Sequence, residues 1–386
     1  MSPRSNTRPC RFVTRFAAAA WACAAASALA GPPGVFEQIV VQPFGVGMFE
    51  PSISADGMRV AFRTAANLSG QNADGSFEVF VYDRSTGLTN QVTSTPGGSG
   101  TAIAVPMILP DGSKVVFRTA WDFTLGAPGA TFQLWEVDAT STGSGPYRQV
   151  TSNPASTPVF DPRMSGDGNF LVFLARINPS GQNADGSLEV FRIDRVSGAT
   201  IQISNNTTVA TQFPDINGDG SRIVWGDRAN YDGTNTNGGL EIWAWTQSTG
   251  AIAAVTNQTA GVLETNLPRI DSEGRHVSFV SLFDFSGAGA TGRKVFVADT
   301  QTGIIRRITS TGVGGSGADY PDAEMAPDGS RVYFESNINL TGSNADGNRE
   351  LFFYDVGTSL LTQLTATTGG SSIVALSDDA TRRAIE

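Results

Sequence analysis

An all-β protein built from tandem four-stranded units is the fold class this sequence predicts. Three observations carry that expectation. The first is a phrase that returns six times. It reads Pro51-Ser-Ile-Ser-Ala-Asp56-Gly57-Met-Arg59-Val-Ala-Phe62, and returns as Pro106 to Phe117, from Pro162, Pro214 and Pro268, and in a stretched form from Pro321 to Phe334. Its copies begin 52 to 56 residues apart. A fixed period of this size marks one supersecondary unit copied in tandem, each copy burying its apolar face on its neighbours. The second is composition: Gly 44 and Pro 19 in 386 residues suit a chain broken by many tight turns. The third is periodicity. Beyond the extreme N-terminus no segment sustains a helical pattern, whereas short runs alternate with period two and are rich in β-branched and aromatic residues.

Each unit resolves into four short strands. In the first copy, strand A covers Pro51 to Ser54 and Asp56-Gly57 supplies the positive φ values of a two-residue hairpin. Strand B is Arg59 to Phe62. A longer loop, Asn67 to Ser76, leads to strand C, Phe77 to Tyr82. Asp83 to Gly87 make the next turn, and strand D is Asn90 to Thr93. Later copies keep this order. Four-stranded units at this spacing read as blades of a β-propeller. Phe36 to Val41 resembles a strand D, and Val374 to Ile385 resembles strands A and B of a further copy, starting near residue 372. The expectation is therefore seven blades, the last incomplete and closed by both termini, with six blades as the alternative.

The N-terminus reads as a secretory signal peptide over residues 1–30. Arg4, Arg8, Arg11 and Arg15 precede the apolar run Phe16 to Ala30, which ends in the cleavage site Ala28-Leu29-Ala30. That run is too short to anchor in a bilayer, so no membrane span is expected. Both cysteines, Cys10 and Cys23, lie in this segment, and the mature chain would carry no disulfide. It would hold 22 basic against 36 acidic side chains, a net charge of −14. An acidic surface argues against nucleic acid and anionic membrane as partners.

The repeated phrase resembles the hallmark of the TolB-like propeller repeats, P-x-x-S-P-D-G-x-x-[IV]-x-[FW]. Pro106 to Phe117 and Ala326 to Phe334 match it best, and the resemblance covers roughly residues 36 to 386. TolB itself has a separate domain before its propeller, and here only residues 31–50 precede the first copy. The resemblance implies a single propeller domain over 31–386, periplasmic or secreted, monomeric, non-catalytic, and binding a protein or peptide partner in the cell envelope.

In a propeller the B–C and D–A loops share one face, and the longer loops fall there, where function on rigid scaffolds usually resides. The recurring polar motif of these loops is Asn72-Ala-Asp74-Gly-Ser-Phe-Glu78, Asn183-Ala-Asp185-Gly-Ser-Leu-Glu189, Asn235-Thr-Asn237-Gly-Gly-Leu-Glu241 and Asn344-Ala-Asp346-Gly-Asn-Arg-Glu350. Copies two and five have Ala127-Pro128-Gly129 and Gly289-Ala290-Thr291 instead. One reading makes Asn72, Asp74, Asn183, Asp185, Asn235, Asn237, Asn344 and Asp346 a binding face. Another makes Asp74, Glu78, Asp185, Glu189, Asp346 and Glu350 calcium ligands, since calcium takes oxygens from a glycine-bent loop. The plainer reading is a tight turn in which Asn and Asp bond their own backbone.

Catalytic signals are sparse. His276, the one histidine, occupies the basic slot that opens strand B and reads as a surface substitution. No zinc cluster or G-x-S-x-G elbow is legible. A propeller lyase or glycosidase would need paired carboxylates at the funnel, and Asp122, Asp232 and Asp284 are the unmatched loop acids. Phe62, Phe117, Phe173, Trp225, Phe279 and Phe334 read as core by register.

Overall fold

The computed structural model describes residues 39–40, 46–97, 103–207, 211–259, 264–287, 292–309, 323–366, 373–376 and 383–385. The expected signal peptide, Pro321 and most of the strand-like segment 36–41 lie outside them.

Six four-stranded antiparallel sheets stand in a ring as a β-propeller. Blade one comprises β1 (Met48–Ile53), β2 (Arg59–Thr64), β3 (Glu78–Asp83) and β4 (Leu88–Gln91). Blade two comprises β5 (Ala104–Ile108), β6 (Lys114–Asp122), β7 (Ala127–Asp138) and β8 (Tyr147–Gln149). Blade three comprises β9 (Phe160–Met164), β10 (Phe170–Ala175), β11 (Glu189–Asp194) and β12 (Thr200–Gln202). Blade four comprises β13 (Gln212–Ile216), β14 (Arg222–Asp227), β15 (Glu241–Thr246) and β16 (Ile252–Ala254). Blade five comprises β17 (Thr265–Ile270), β18 (His276–Ser281), β19 (Lys294–Asp299) and β20 (Ile304–Arg307). Blade six comprises β21 (Ala323–Met325), β22 (Arg331–Ser336), β23 (Glu350–Asp355) and β24 (Leu361–Gln363). Within each sheet the strands follow chain order, and the innermost strands touch from blade to blade.

The six-bladed alternative is what forms. Two further strands, β25 (Ile373–Leu376) and β26 (Arg383–Ile385), pair only with each other. They lie beside β1, with β25 also touching β22, so they sit between the last blade and the first. They form a two-stranded sheet and not a four-stranded blade. Of the N-terminal segment read as a strand D, Ile39 and Val40 are irregular and pack on Val60, Phe62, Phe80 and Tyr82 of blade one.

The inner strands carry a feature the strand reading missed. β1, β5, β13 and β17 each break register against their partner beside the repeated proline, and β9 breaks it against β10. The residue before that proline is left-handed in five blades: Glu50 (φ 53°), Val105 (51°), Asp161 (44°), Phe213 (52°) and Leu267 (56°). Proline has no N–H for the ladder, so the strand is continued by a bulge that places it where none is needed. The Asp-Gly turn also differs from expectation. Ser54 N donates to Arg59 O at 2.9 Å and Gly57 N to Ser54 O at 2.8 Å, so four residues, not two, make the loop.

The core lies between blades. Phe62, Phe117, Phe173, Trp225, Phe279 and Phe334 are all buried, as their register implies. Side chains alternate along β14: Ile223 and Trp225 pack toward blade three, Val224 toward blade five. Tyr231 stands edge-on to Trp225 and Trp243, with ring centroids 5.7 and 5.1 Å away. Trp121 is buried in blade two, where β6 and β7 run on as one hairpin in place of the polar loop.

Candidate functional site

The polar motif of the B–C loops is spent on holding those loops. Asn72, Asn183, Asn235 and Asn344 are buried, and their side-chain amides donate to the carbonyl four residues on, at 2.8, 3.0, 2.9 and 2.9 Å. Their backbone N–H groups are accepted by Asn67, Asn178, Asn230 and Asn339 at 2.8 to 3.0 Å. These four partners were missed, although an N-x4-N spacing repeats visibly in the sequence. Asp74 accepts from Ser76 N and from Gly97 N at 2.7 Å, Asp185 accepts from Ser187 N, and Asn237 bridges Gly239 N and Gln258 O. Asp346 is exposed.

The glutamates close the motif. Buried Glu78 accepts from Ser76 Oγ, Thr93 Oγ1, Thr95 N and Thr95 Oγ1 at 2.9, 2.5, 2.6 and 2.7 Å. Glu189 accepts from Ser187 Oγ, Ser204 Oγ and Asn206 N, and Glu350 from Thr365 Oγ1. Each ties the start of strand C to the exit of strand D. Burial pushes the carboxyls of Glu78, Glu189 and Glu241 up, against the pull of their hydroxyl and N–H donors. Among the described residues no three His, Cys, Asp or Glu side chains gather where they could hold a metal ion.

The unmatched loop acids do not converge on the funnel. Asp122 caps its own turn through Thr124 N and Leu125 N. Asp232 accepts from Thr234 N and from Ala254 N on outermost β16, and Asp284 from Ser286 N and Arg307 Nη1. His276 Nδ1 lies 2.9 Å from Asp271 Oδ2 at the A–B turn of blade five, on the opposite face.

What the loop face does contain is a cleft of about 500 Å³ between blades four and five. Phe213 and Leu267, the left-handed bulge residues of β13 and β17, face each other across it. Leu240 adds a third apolar wall; Gln212, Asn266, Arg228 and Glu264 are its polar lining.

One slot beside the cleft lining differs between the blades. Directly after the core aromatic of strand B stand Arg63, Arg118, Leu174, Gly226, Val280 and Glu335. Arg63 lies over Phe77 at 4.9 Å and bonds Glu50 at 2.6 Å. Arg118 lies over Phe132 at 4.5 Å, and Glu335 meets Arg349 at 3.3 Å. Leu174 and Val280 join the packed cores between blades. Blade four alone has no side chain in that slot. A Cβ built on Gly226 would lie 3.4 Å from Gln212 Cγ, in ordinary contact, so the glycine answers to space and not to backbone conformation. Val224, Ile242, Ala244 and Ile270 belong to the packed core between blades four and five. This signal was present in the aligned repeats as a single glycine among five side chains.

The cleft is also set apart electrostatically. Glu264 is held by Arg293 Nη2 at 2.6 Å. Arg228 gives Nη1 to Gly238 O at 3.1 Å and is part of the cleft lining, with further guanidinium donors not used by that bond. Deeper in the ring, Asp215 Oδ2 accepts Ile270 N at 2.9 Å and Arg269 Nε meets Glu324 at 3.1 Å, tying the inner strands of successive blades. Burial pushes Asp215 up, opposed by Arg269 and Arg163.

No protein-family model matches the sequence. No curated protein matches it either. Solved structures do match in fold. An oligogalacturonate lyase in complex with manganese aligns with TM-score 0.57 at 15% identity, over 83% of this chain and 77% of that one. An oligogalacturonate lyase from Vibrio parahaemolyticus aligns at 0.59 and 13% identity, over 89% and 90%. The β-propeller domain of the Trilobed protease from Pyrococcus furiosus aligns at 0.53 and 14%, over 87% of each chain. A putative TolB from Agrobacterium tumefaciens also aligns, at 0.44 and 17%, over 67% and 79%. At these identities the likeness to the two lyases and the protease domain shows the propeller fold and no specific activity.

Proposed function

We propose that this chain is a non-catalytic binding propeller that takes up a protein or peptide segment on its B–C and D–A face, at the cleft between blades four and five. The cleft, whose lining residue Gln212 packs beside Gly226, carries the reading. It lies in the size range of small-ligand sites, has apolar walls, and holds a few polar groups, the usual make-up of a recognition pocket. It is walled by strands of two packed blades, so it is pre-formed and costs little to order on binding. The sequence resemblance to TolB-like repeats and the signal-like N-terminus support a setting in the cell envelope. Among the described residues no helix is long and apolar enough to cross a membrane. A lyase reading, suggested by two of the fold relatives, asks for acid and base groups placed together. The cleft lining holds one carboxylate, Glu264, already engaged by Arg293.

Selection of random displayed peptides on residues 31–386 tests the proposal, with Gly226→Leu as the counter-target. Peptides enriched on the wild type should bind Gly226→Leu at least about tenfold more weakly while the melting temperature is kept, since the new side chain occupies the slot that Leu174 fills in blade three. Equal binding to both proteins would move the site away from the cleft. No enrichment at all would sink peptide binding and direct attention to glycans.

A further inference from the structure

Arg228 is the unspent cation of the cleft. The chain as a whole carries a net charge of −10, and several cations of the inner ring and loop face are committed to acids: Arg63 to Glu50, Arg269 to Glu324, Arg293 to Glu264. Among the described residues Arg228 makes one hydrogen bond, to a backbone carbonyl, and no salt bridge pairs it with an acid. With Glu264 answered by Arg293, the lining is left with one uncompensated positive charge beside Phe213, Leu240 and Leu267.

From this we infer that the ligand of the cleft is the C-terminus of a peptide, its terminal carboxylate on Arg228 and its last, apolar side chain between Phe213, Leu240 and Leu267. The inference rests on the peptide-binding reading above and names the part of the peptide that enters. One feature favours a chain end over an internal segment. A chain terminus offers anion and apolar group on one residue, which matches an arginine that shares the lining with three apolar side chains. Guanidinium donors match carboxylate geometry in a paired, charge-assisted contact. Gln212 and Asn266 supply amides that can bond the main chain of the preceding residue.

A matched control exists in the same fold. Arg176 in blade three stands two residues past Leu174, as Arg228 stands two past Gly226, and gives Nη1 to Gly186 O at 3.0 Å. There the slot holds Leu174, part of the packed core, and the arginine has the same turn-holding bond.

The test uses two pools of labelled random pentapeptides ending in leucine, one with a free carboxylate and one with a carboxamide, read by fluorescence anisotropy. Wild type should bind the acid pool about 10- to 100-fold more tightly than the amide pool, the worth of a hydrogen bond to a charged group. Arg228→Gln should abolish that preference, and Arg176→Gln should keep it. If wild type binds both pools equally and Gly226→Leu loses both, the carboxylate inference is overturned while the peptide reading stands. A preference that survives Arg228→Gln also overturns it. If neither pool binds wild type, both readings fall together.

Discussion

Glu136 joins two blades, and replacing it with glutamine measures what that joint contributes. It lies on β7 with its side chain only 4% exposed. Arg148 Nη2 of β8 is 2.8 Å away and Arg195 Nη1, from the C–D turn of blade three, 2.7 Å. Lys114 Nζ stands at 3.5 Å. Burial alone would push this carboxyl up, but hydrogen bonds and charge from Arg148 and Arg195 bring it from the ordinary 4.5 down to about 2. A folded value below the unfolded one means stability that is present above the unfolded value and lost as pH falls through the folded value. The full difference amounts to about 3 kcal/mol at neutral pH, and about 1.4 kcal/mol of it should remain near pH 3. Removing one partner of a buried ion pair costs about 3–5 kcal/mol in other proteins, the same order. Chemical denaturation of wild type and Glu136→Gln at both pH values checks this. The variant should be weaker by about 3 kcal/mol at pH 7, with the gap at least halved near pH 3. A gap that does not change with pH would refute the electrostatic account and assign the loss to hydrogen bonding or packing.

Two further outcomes follow from the repeats. Glu241 accepts Thr256 Oγ1 at 2.6 Å and Gln258 N at 2.8 Å, and burial pushes its carboxyl up. Its sign is opposite: the stability it contributes is complete below the unfolded value and lost as pH rises through the folded one. Wild type should therefore lose ground to Glu241→Gln as pH rises above the unfolded value, read by chemical denaturation, and a difference that grows in favour of wild type would contradict this. Ser359 has φ 60° in the turn slot where Gly87, Gly198, Gly250 and Gly303 stand in other blades. Ser359→Gly should stabilise the chain by about 1 kcal/mol, read as a rise in melting temperature, and a fall would mean the serine has a partner worth more than its strain.

The strands and the core were legible because both depend on local periodicity. The aromatic at the end of strand B falls on the buried face by register alone, and in all six copies it is buried. The B–C motif was legible as a pattern, while its hydrogen-bond partners were not. Asn72 and Glu78 look like ligands when counted as oxygens, and the structure shows their atoms satisfied by Ser76, Thr93 and Thr95 from the same loop and the neighbouring strand exit. Which donors meet a carboxylate depends on where strand D ends, and no sequence spacing states that. The inner bulge escaped notice for a related reason. Proline at a fixed place in a strand signals an interrupted ladder, but whether the interruption is an end or a bulge depends on the strand beside it.

The repeat, the four-strand unit, the apolar face of each strand and the glycines of the turns were determined by the sequence itself, because each rests on contacts a few residues long or on a recurring period. Blade count and the cleft were decided by tertiary structure. Six full blades stand in the ring with β25 and β26 as a separate pair between the last and the first, a matter of which edges meet across the whole chain. Phe213 and Leu267 become walls of one cleft only when blades four and five pack, 54 residues apart along the chain. The side chains are visible in a sequence; the space they line exists only between packed neighbours.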